Sequence, residues 1–253
     1  MNTIRLFDIP IRNGMMDQAV EMIIGCAIQN KPVRIFFVNA HCINLSHNDS
    51  EYHTILQQAD FVLADGIGMK IASLLFRKPL LDNVNGTDMY PLLCQALQQK
   101  KLSVYLLGGE PGIAERMRNS TLEFCPDLHV CGVHHGFFTY ADEPQMIETI
   151  RMAAPDVLLV ALGVPKQEKW IERNYKQCGA TVTLAVGGLF DFYSGKNPRA
   201  PLWMRKIGLE WLYRLYLEPR RLWKRYLLGN VVFFWHTIRE WIKPPNHSTT
   251  RPA

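Results

Sequence analysis

Four stretches of the 253-residue chain bring together side chains that could do chemistry. Asp65 ends the apolar run Phe61-Val62-Leu63-Ala64 and is followed by Gly66. A carboxylate partly walled by apolar groups serves as a general base when its pKa is raised; the alternative is an N-cap for the next helix. In LLGGEPGIAER, Gly108, Gly109 and Gly112 form a turn between a strand and a helix. Glycines let backbone N–H groups approach a diphosphate, and a helix N-terminus adds partial positive charge. The loop lacks both the GxGxxG spacing and the Lys-Ser/Thr of a P-loop, so neither a dinucleotide nor ATP is indicated, and a plain strand–helix turn is the alternative. Lys166 and Gln167 open a helix where they could hold a sugar or phosphate; capping and a surface lysine are the bland equivalents. Asp191, in VGGLFDFYSG, could accept hydrogen bonds from ribose or sugar hydroxyls, or fix a loop.

His41, His134 and His135 lack the helical pairing of metal ligands, and no HExxH, GxSxG or DxD motif occurs. The expectation is therefore chemistry without a metal or other cofactor. The six cysteines are scattered with no CxxC pair and read as reduced cytosolic thiols.

These residues need strand ends to present them. Val33–Val38, Phe61–Ala64, Val104–Leu107, Val157–Ala161 and Val182–Val186 read as strands, with Leu128–Val133 a weaker one. Helical patterns lie between them at Met15–Gln29, Cys42–Gln58, Gly68–Leu75, Asp88–Lys100, Ile113–Phe124, Pro144–Ala153 and Gln167–Cys178. Continuous apolar strands alternating with helices predict an α/β, Rossmann-like, mostly parallel sheet with helices on both faces. Ligands bind such sheets at the carboxyl ends of the strands, where the residues above gather.

The last quarter differs from the rest. Residues 199–253 carry eleven Lys/Arg against three acidic residues, whereas 1–198 carry seventeen against twenty, and five of the six tryptophans fall in the later segment. The proline-rich Lys196–Pro201 stretch marks a boundary. It predicts a catalytic domain over 1–198, a basic aromatic helical appendage over 199–243 and a disordered tail over 244–253. Pro219 is expected to split the appendage. At helical spacing Leu212, Tyr216, Trp223, Leu227 and Phe234 form an apolar stripe, almost opposite Arg214, Glu218, Arg221 and Arg225. Aromatic residues interleaved with cations favour an anionic bilayer interface over nucleic acid. The bland alternative is a hairpin docked on the core with a solvated basic face. Removing the chain from Arg199 onward is expected to abolish membrane association and leave a folded core. No apolar run reaches the roughly 20 residues of a spanning helix, and Arg5 and Asp8 interrupt any secretory signal. The expected location is cytoplasmic, peripheral on the inner membrane face.

The ordered set Asn39…Asn44, Ala64-Asp65-Gly66, Gly86-Thr87-Asp88, Leu107-Gly108-Gly109, Gly136-Phe137-Phe138, Gly163–Glu168, Val186–Asp191 and Arg199-Ala200-Pro201 closely resembles the WecG/TagA/CpsF glycosyltransferases. Gly208–Leu215 and Glu218–Arg221 are similar to that family's C-terminal appendage, and the resemblance covers roughly residues 15 to 230. It implies an inverting enzyme that moves a sugar from a UDP-sugar to a polyprenyl-diphosphate-linked saccharide, in assembly of exopolysaccharide or another surface polymer. Asp65 would be the general base. Asn39, Gly66, Thr87, Asp88, Gly108, Gly109, Gly136, Phe137, Lys166, Gln167, Gly187, Gly188 and Asp191 would form the substrate site. Arg199, Arg205, Arg214, Arg221, Lys224 and Arg225 would meet the membrane and the acceptor. Self-association that groups the appendages is a further implication. Phe37 and Asn83 depart from the family's frequent Thr and Arg, which fits a branch with a different substrate, glucosyl or N-acetylmannosaminyl. A membrane-tethered nucleotide-sugar-binding protein without turnover is the alternative reading.

Overall fold

The computed structural model describes residues 1–242, so the tail expected over 244–253 lies outside the described residues. Among the described residues the strands are β1 (Asn2–Leu6), β2 (Ile9–Asn13), β3 (Val33–Val38), β4 (Phe61–Ala64), β5 (Ser103–Gly108), β6 (His129–His134), β7 (Val157–Ala161) and β8 (Val182–Ala185). Strands β3 to β8 form one parallel sheet in the order β4-β3-β8-β7-β5-β6. Every residue of β3, β5, β7 and β8 is buried, as continuous apolar runs require in a sheet covered on both faces.

The helices are α1 (Met16–Gln29), α2 (Ala40–Asn48), α3 (Ser50–Gln58), α4 (Ile67–Leu75), α5 (Gly86–Lys100), α6 (Ile113–Phe124), α7 (Glu143–Ala153), α8 (Lys166–Asn174) and α9 (Leu189–Tyr193). Alternate strand residues divide the core. Ile35, Leu106, Leu159 and Leu184 pack with α1, α5, α6 and α9. Phe36, Leu107, Val160 and Ala185 face α2, α3, α7 and α8. The single helix expected from Cys42 to Gln58 is two: Asp49 adopts an extended backbone and its Oδ1 accepts the Tyr52 N–H at 3.0 Å, capping α3.

The antiparallel hairpin β1–β2 had no sequence signal. Its two turn residues, Phe7 and Asp8, both hold positive φ (51° and 60°), where Asn-Gly is usual. Placing Phe7 there costs about 1–2 kcal/mol. The ring's seat against Phe76 (centroids 5.2 Å) and Phe233 (5.5 Å) offsets that cost.

The appendage continues with α10 (Leu202–Lys206), α11 (Glu210–Leu217), α12 (Pro219–Trp223), a π-helical turn (Lys224–Leu228) and α13 (Gly229–Ile242). Pro219 stands at the first turn of α12, where it lacks no needed hydrogen bond. Helix α13 lies against α2: Asn44 Nδ2 donates to the Gly229 carbonyl at 2.7 Å, and His47 stacks on His236 at 3.8 Å. Phe233, 1 % exposed, joins the same core as Phe36 and Ile43. The core expected to stand alone after removal of 199 onward would therefore lose part of its packing.

The two stripes of the appendage face opposite to the bland expectation. Leu212, Tyr216, Trp223, Leu227 and Phe234 are all exposed, as are Trp203, Trp235 and Trp241. Arg214 and Arg225 instead turn inward to line a cavity with Asp65. A helical face of this kind, apolar outward and cationic inward, is not stabilised by water on its outer side.

Candidate active site

Two cavities open along the carboxyl edge of the sheet. The first, about 320 Å³, is lined by Asn39, Asp65, Gly66, Asn83, Asn85, Thr87, Asp88, Arg205, Glu210, Arg214 and Arg225 on its polar side. The second, about 510 Å³, is lined by Gly109, Glu110, Gly136, Phe137, Lys166, Asp191, Lys196 and Arg221. The two are side by side, since Asp191 lines one and its neighbour Phe192 the other.

Asp65 follows β4, held there by its own N–H donating to the Val38 carbonyl at 2.8 Å. It does not cap α4, whose N-cap is Gly66 with no side-chain bond. Burial pushes its carboxyl up to about 6; Arg214 opposes this, Glu210 adds to it, and the Asn39 amide and Arg225 oppose it further. Asn39 caps α2 as well, its Oδ1 accepting the N–H groups of His41 (3.0 Å) and Cys42 (3.2 Å). Asn83 Oδ1 accepts the Gly66 N–H at 2.6 Å, so this side chain fixes the backbone next to the carboxylate. Phe37 is buried and packs its ring beneath Gly86, at the start of α5. His41 lines the first cavity and is kept neutral, its pKa lowered to about 4 by burial and by Arg225.

Of the cations assigned above to membrane and acceptor, Arg205, Arg214 and Arg225 line the first cavity and Arg221 the second. Arg199 and Arg205 pair with Asp88 at 2.8 and 3.0 Å. Burial works against that carboxylate, yet Asn85 and the two arginines hold it below its ordinary value. Arg214 lies 4.4 Å from the centroid of the Phe192 ring. A Cβ at Gly188 would stand 3.0 Å from Arg214 Nη2, so glycine there admits the guanidinium. Arg221 lines the second cavity and pairs with Glu218. Lys224 is exposed beside Trp223.

The glycine loops serve their own packing. Gly108 (φ 147°) is glycine because a Cβ would come within 2.5 Å of the Ala161 carbonyl. The Gly109 N–H donates to that carbonyl at 3.2 Å, and the Gly136 N–H to the Gly109 carbonyl at 2.8 Å. These amides are not turned to a ligand as the sequence suggested. The Gly187 N–H is likewise taken, by Gln167 Oε1 at 3.1 Å. Gln167 itself is 2 % exposed and lines neither cavity; its Nε2 donates to Glu168 at 2.8 Å. Its place is therefore a brace between α8 and the end of β8.

Glu168 is fully buried, and among the described residues its Oε2 has no hydrogen-bond partner. Burial pushes it up to about 7, against the Gln167 hydrogen bond. Because the folded value lies above the ordinary 4.5, stability is greatest below that value and falls as pH rises toward 7. Urea midpoints measured across this window should fall with pH in the wild type and fall less steeply in Glu168→Gln; the residual slope belongs to Asp65. An unchanged slope would place the titration elsewhere.

Glu210, Trp211, Tyr226 and Phe234 are lining residues that strand-end reasoning did not reach. They lie in the appendage, and only the GLEWLYRL block drew attention to the first two. Among the described residues no three His, Cys, Asp or Glu side chains converge as a metal site would need.

Over 228 residues the chain is 31% identical to an N-acetylglucosaminyldiphosphoundecaprenol N-acetyl-beta-D-mannosaminyltransferase of Bacillus subtilis (strain 168), covering 90% of this chain and 88% of the relative. The protein of the same description from Bacillus spizizenii (strain ATCC 23059 / NRRL B-14472 / W23) is 34% identical over 79% of this chain and 76% of its own length. That of Staphylococcus aureus (strain NCTC 8325 / PS 47) is 29% identical over 84% and 82%. The family model "Glycosyl transferase WecG/TagA/CpsF family" matches residues 4–247. With nearly the whole chain matched, and a carboxylate walled by cations at the sheet edge, the chain belongs to the WecG/TagA/CpsF family of glycosyltransferases.

Proposed function

We propose that this enzyme transfers a hexosyl group from a UDP-sugar, with inversion, to a saccharide on polyprenyl diphosphate at the cytoplasmic membrane face. Asp65 carries the reading: a partly buried carboxylate, poised near 6, opens onto a cavity that also holds Arg205, Arg214 and Arg225. Asp65 takes the proton of the acceptor hydroxyl. The oxygen then attacks the anomeric carbon of an α-linked donor, the bond to UDP breaks, and a β-linkage forms. The first cavity takes the acceptor, whose diphosphate meets the arginines. The second takes the donor nucleotide, with Asp191 toward the ribose. Lys166, Lys196 and Arg221 there offset the charge developing on UDP, a role the engaged glycine amides do not fill and one that needs no divalent metal.

The relatives' names point to an N-acetylglucosaminyl diphospholipid acceptor and an N-acetylmannosaminyl donor. Asn83 and Phe37 leave a glucosyl donor as the competing choice, and the polymer follows from whichever is used. The membrane contact is made by the exposed apolar face of the appendage. Among the described residues no helix is long and apolar enough to cross a bilayer.

UDP release measured over a panel of UDP-sugars with this acceptor tests the reading. One donor should give release that depends on acceptor and persists with chelator. UDP binding without release from any donor would favour the non-catalytic binder. Activity that returns to chelated enzyme only with Mg²⁺ or Mn²⁺ would overturn the cation assignment.

A further inference from the structure

The first cavity has a mixed lining. Besides Asp65 and the arginines it includes Ile67 and Ile71 of α4, Trp211 of α11, and Phe233 and Phe234 of α13. Phe233 is anchored in the core, whereas Ile67 and Phe234 are 37 % and 38 % exposed and form the rim. Beyond that rim further exposed apolar residues follow on both helices. On α4 they include Leu74 and Leu75, which share the helical face of Ile67 and Ile71. On α13 they include Trp235 and Ile238.

A cavity of about 320 Å³ stands at the small end of ligand sites, room for a sugar and its diphosphate but not for a polyprenyl chain. With the diphosphate held by the arginines, the apolar part of the lining is the path on which a prenyl chain is least costly to lay. We propose that the first isoprene units of the lipid-linked acceptor lie along Ile67, Ile71 and Phe234, between α4 and α13, before the chain enters the bilayer. The proposal rests on the transferase reading above and adds to it a binding site for the lipid itself. That apolar wall then selects a tail as well as a head group, and the exposed apolar face is the continuation of a substrate path.

The test uses the full chain in detergent-free buffer, with acceptors that share one sugar diphosphate and carry a methyl, geranyl or farnesyl tail. KM should fall about tenfold for each isoprene unit laid on the wall, the worth of about two buried methylenes, with kcat little changed. In Phe234→Ser and Ile71→Ser the ratio of methyl to farnesyl KM should collapse toward one, while Trp241→Ser, away from the cavity, keeps the wild-type ratio. Transfer with equal KM for all three tails would overturn this inference and leave the transferase reading standing. A ratio that collapses equally in Trp241→Ser would do the same. No transfer to any acceptor would overturn both. If Phe234→Ser instead changes the sedimentation of the protein and leaves the ratio intact, the wall is an interface between copies of this chain and the inference fails.

Discussion

Asp65→Asn lowers kcat by about 10²- to 10⁴-fold, the usual worth of a positioned general base, and leaves UDP binding nearly intact. The asparagine keeps the size and much of the hydrogen bonding of the carboxylate but cannot take a proton. The wild-type kcat/KM should rise with pH up to about 6 and then level, because only the ionised carboxylate is competent. The variant should lack that limb. A second readout separates chemistry from architecture. The folded pKa lies above the ordinary 3.8, so this group's stabilisation is complete below 3.8 and declines as pH rises through about 6. An amide has no such penalty. At pH near 8 the variant should therefore be more stable than the wild type by up to about 3 kcal/mol, and no more stable in acid. Turnover equal to wild type would remove Asp65 from the mechanism. A variant that is inactive and also less stable at high pH would show that the carboxylate is structural.

Replacing Trp203, Trp235 and Trp241 together with serine should weaken partitioning onto lipid vesicles by about 10³-fold, counting about tenfold for each partly inserted indole. All three are exposed, and most of the cations that the resemblance assigned to membrane and acceptor face inward: Arg199 and Arg205 pair with Asp88, and Arg214 and Arg225 line the first cavity. Binding should accordingly change little between low and high salt, because burial of apolar surface is not screened as exposed charge pairs are. Vesicle flotation of the full chain reads both effects. Binding that vanishes at high salt and survives the tryptophan changes would return the task to Lys224 and its basic neighbours.

Much of the fold was open to reading in one dimension. The sheet strands announce themselves because they are buried on both faces, and the uniform apolar runs Val33–Val38 and Val157–Ala161 have no other economical explanation. Local sequence placed Asp65 where an apolar strand ends and left base or N-cap open, and the side chain does not cap α4. Pro219 marked its own break. The hairpin at the N-terminus was not legible, because Phe7 and Asp8 carry no turn signature and the conformation is held by Phe76 and Phe233, distant in sequence.

The appendage shows where such reading stops. Periodicity determined that it has an apolar stripe and a cationic stripe almost opposite one another. Which stripe faces the core depends on what the core presents, and that is a tertiary fact. Asp65, Asp88 and the sheet's carboxyl edge draw Arg205, Arg214 and Arg225 inward, which leaves Trp203, Trp235 and Trp241 outside. Tertiary structure likewise buried Gln167 as a brace, occupied the Gly109 and Gly136 amides with backbone carbonyls and that of Gly187 with the Gln167 side chain, and divided the strand-end residues between two cavities. Residue types and spacing determine which groups a strand end offers. Only packing decides whether each one meets a ligand, a neighbouring chain segment or the solvent, because hydrogen bonds and charges are satisfied in three dimensions by partners far away in sequence.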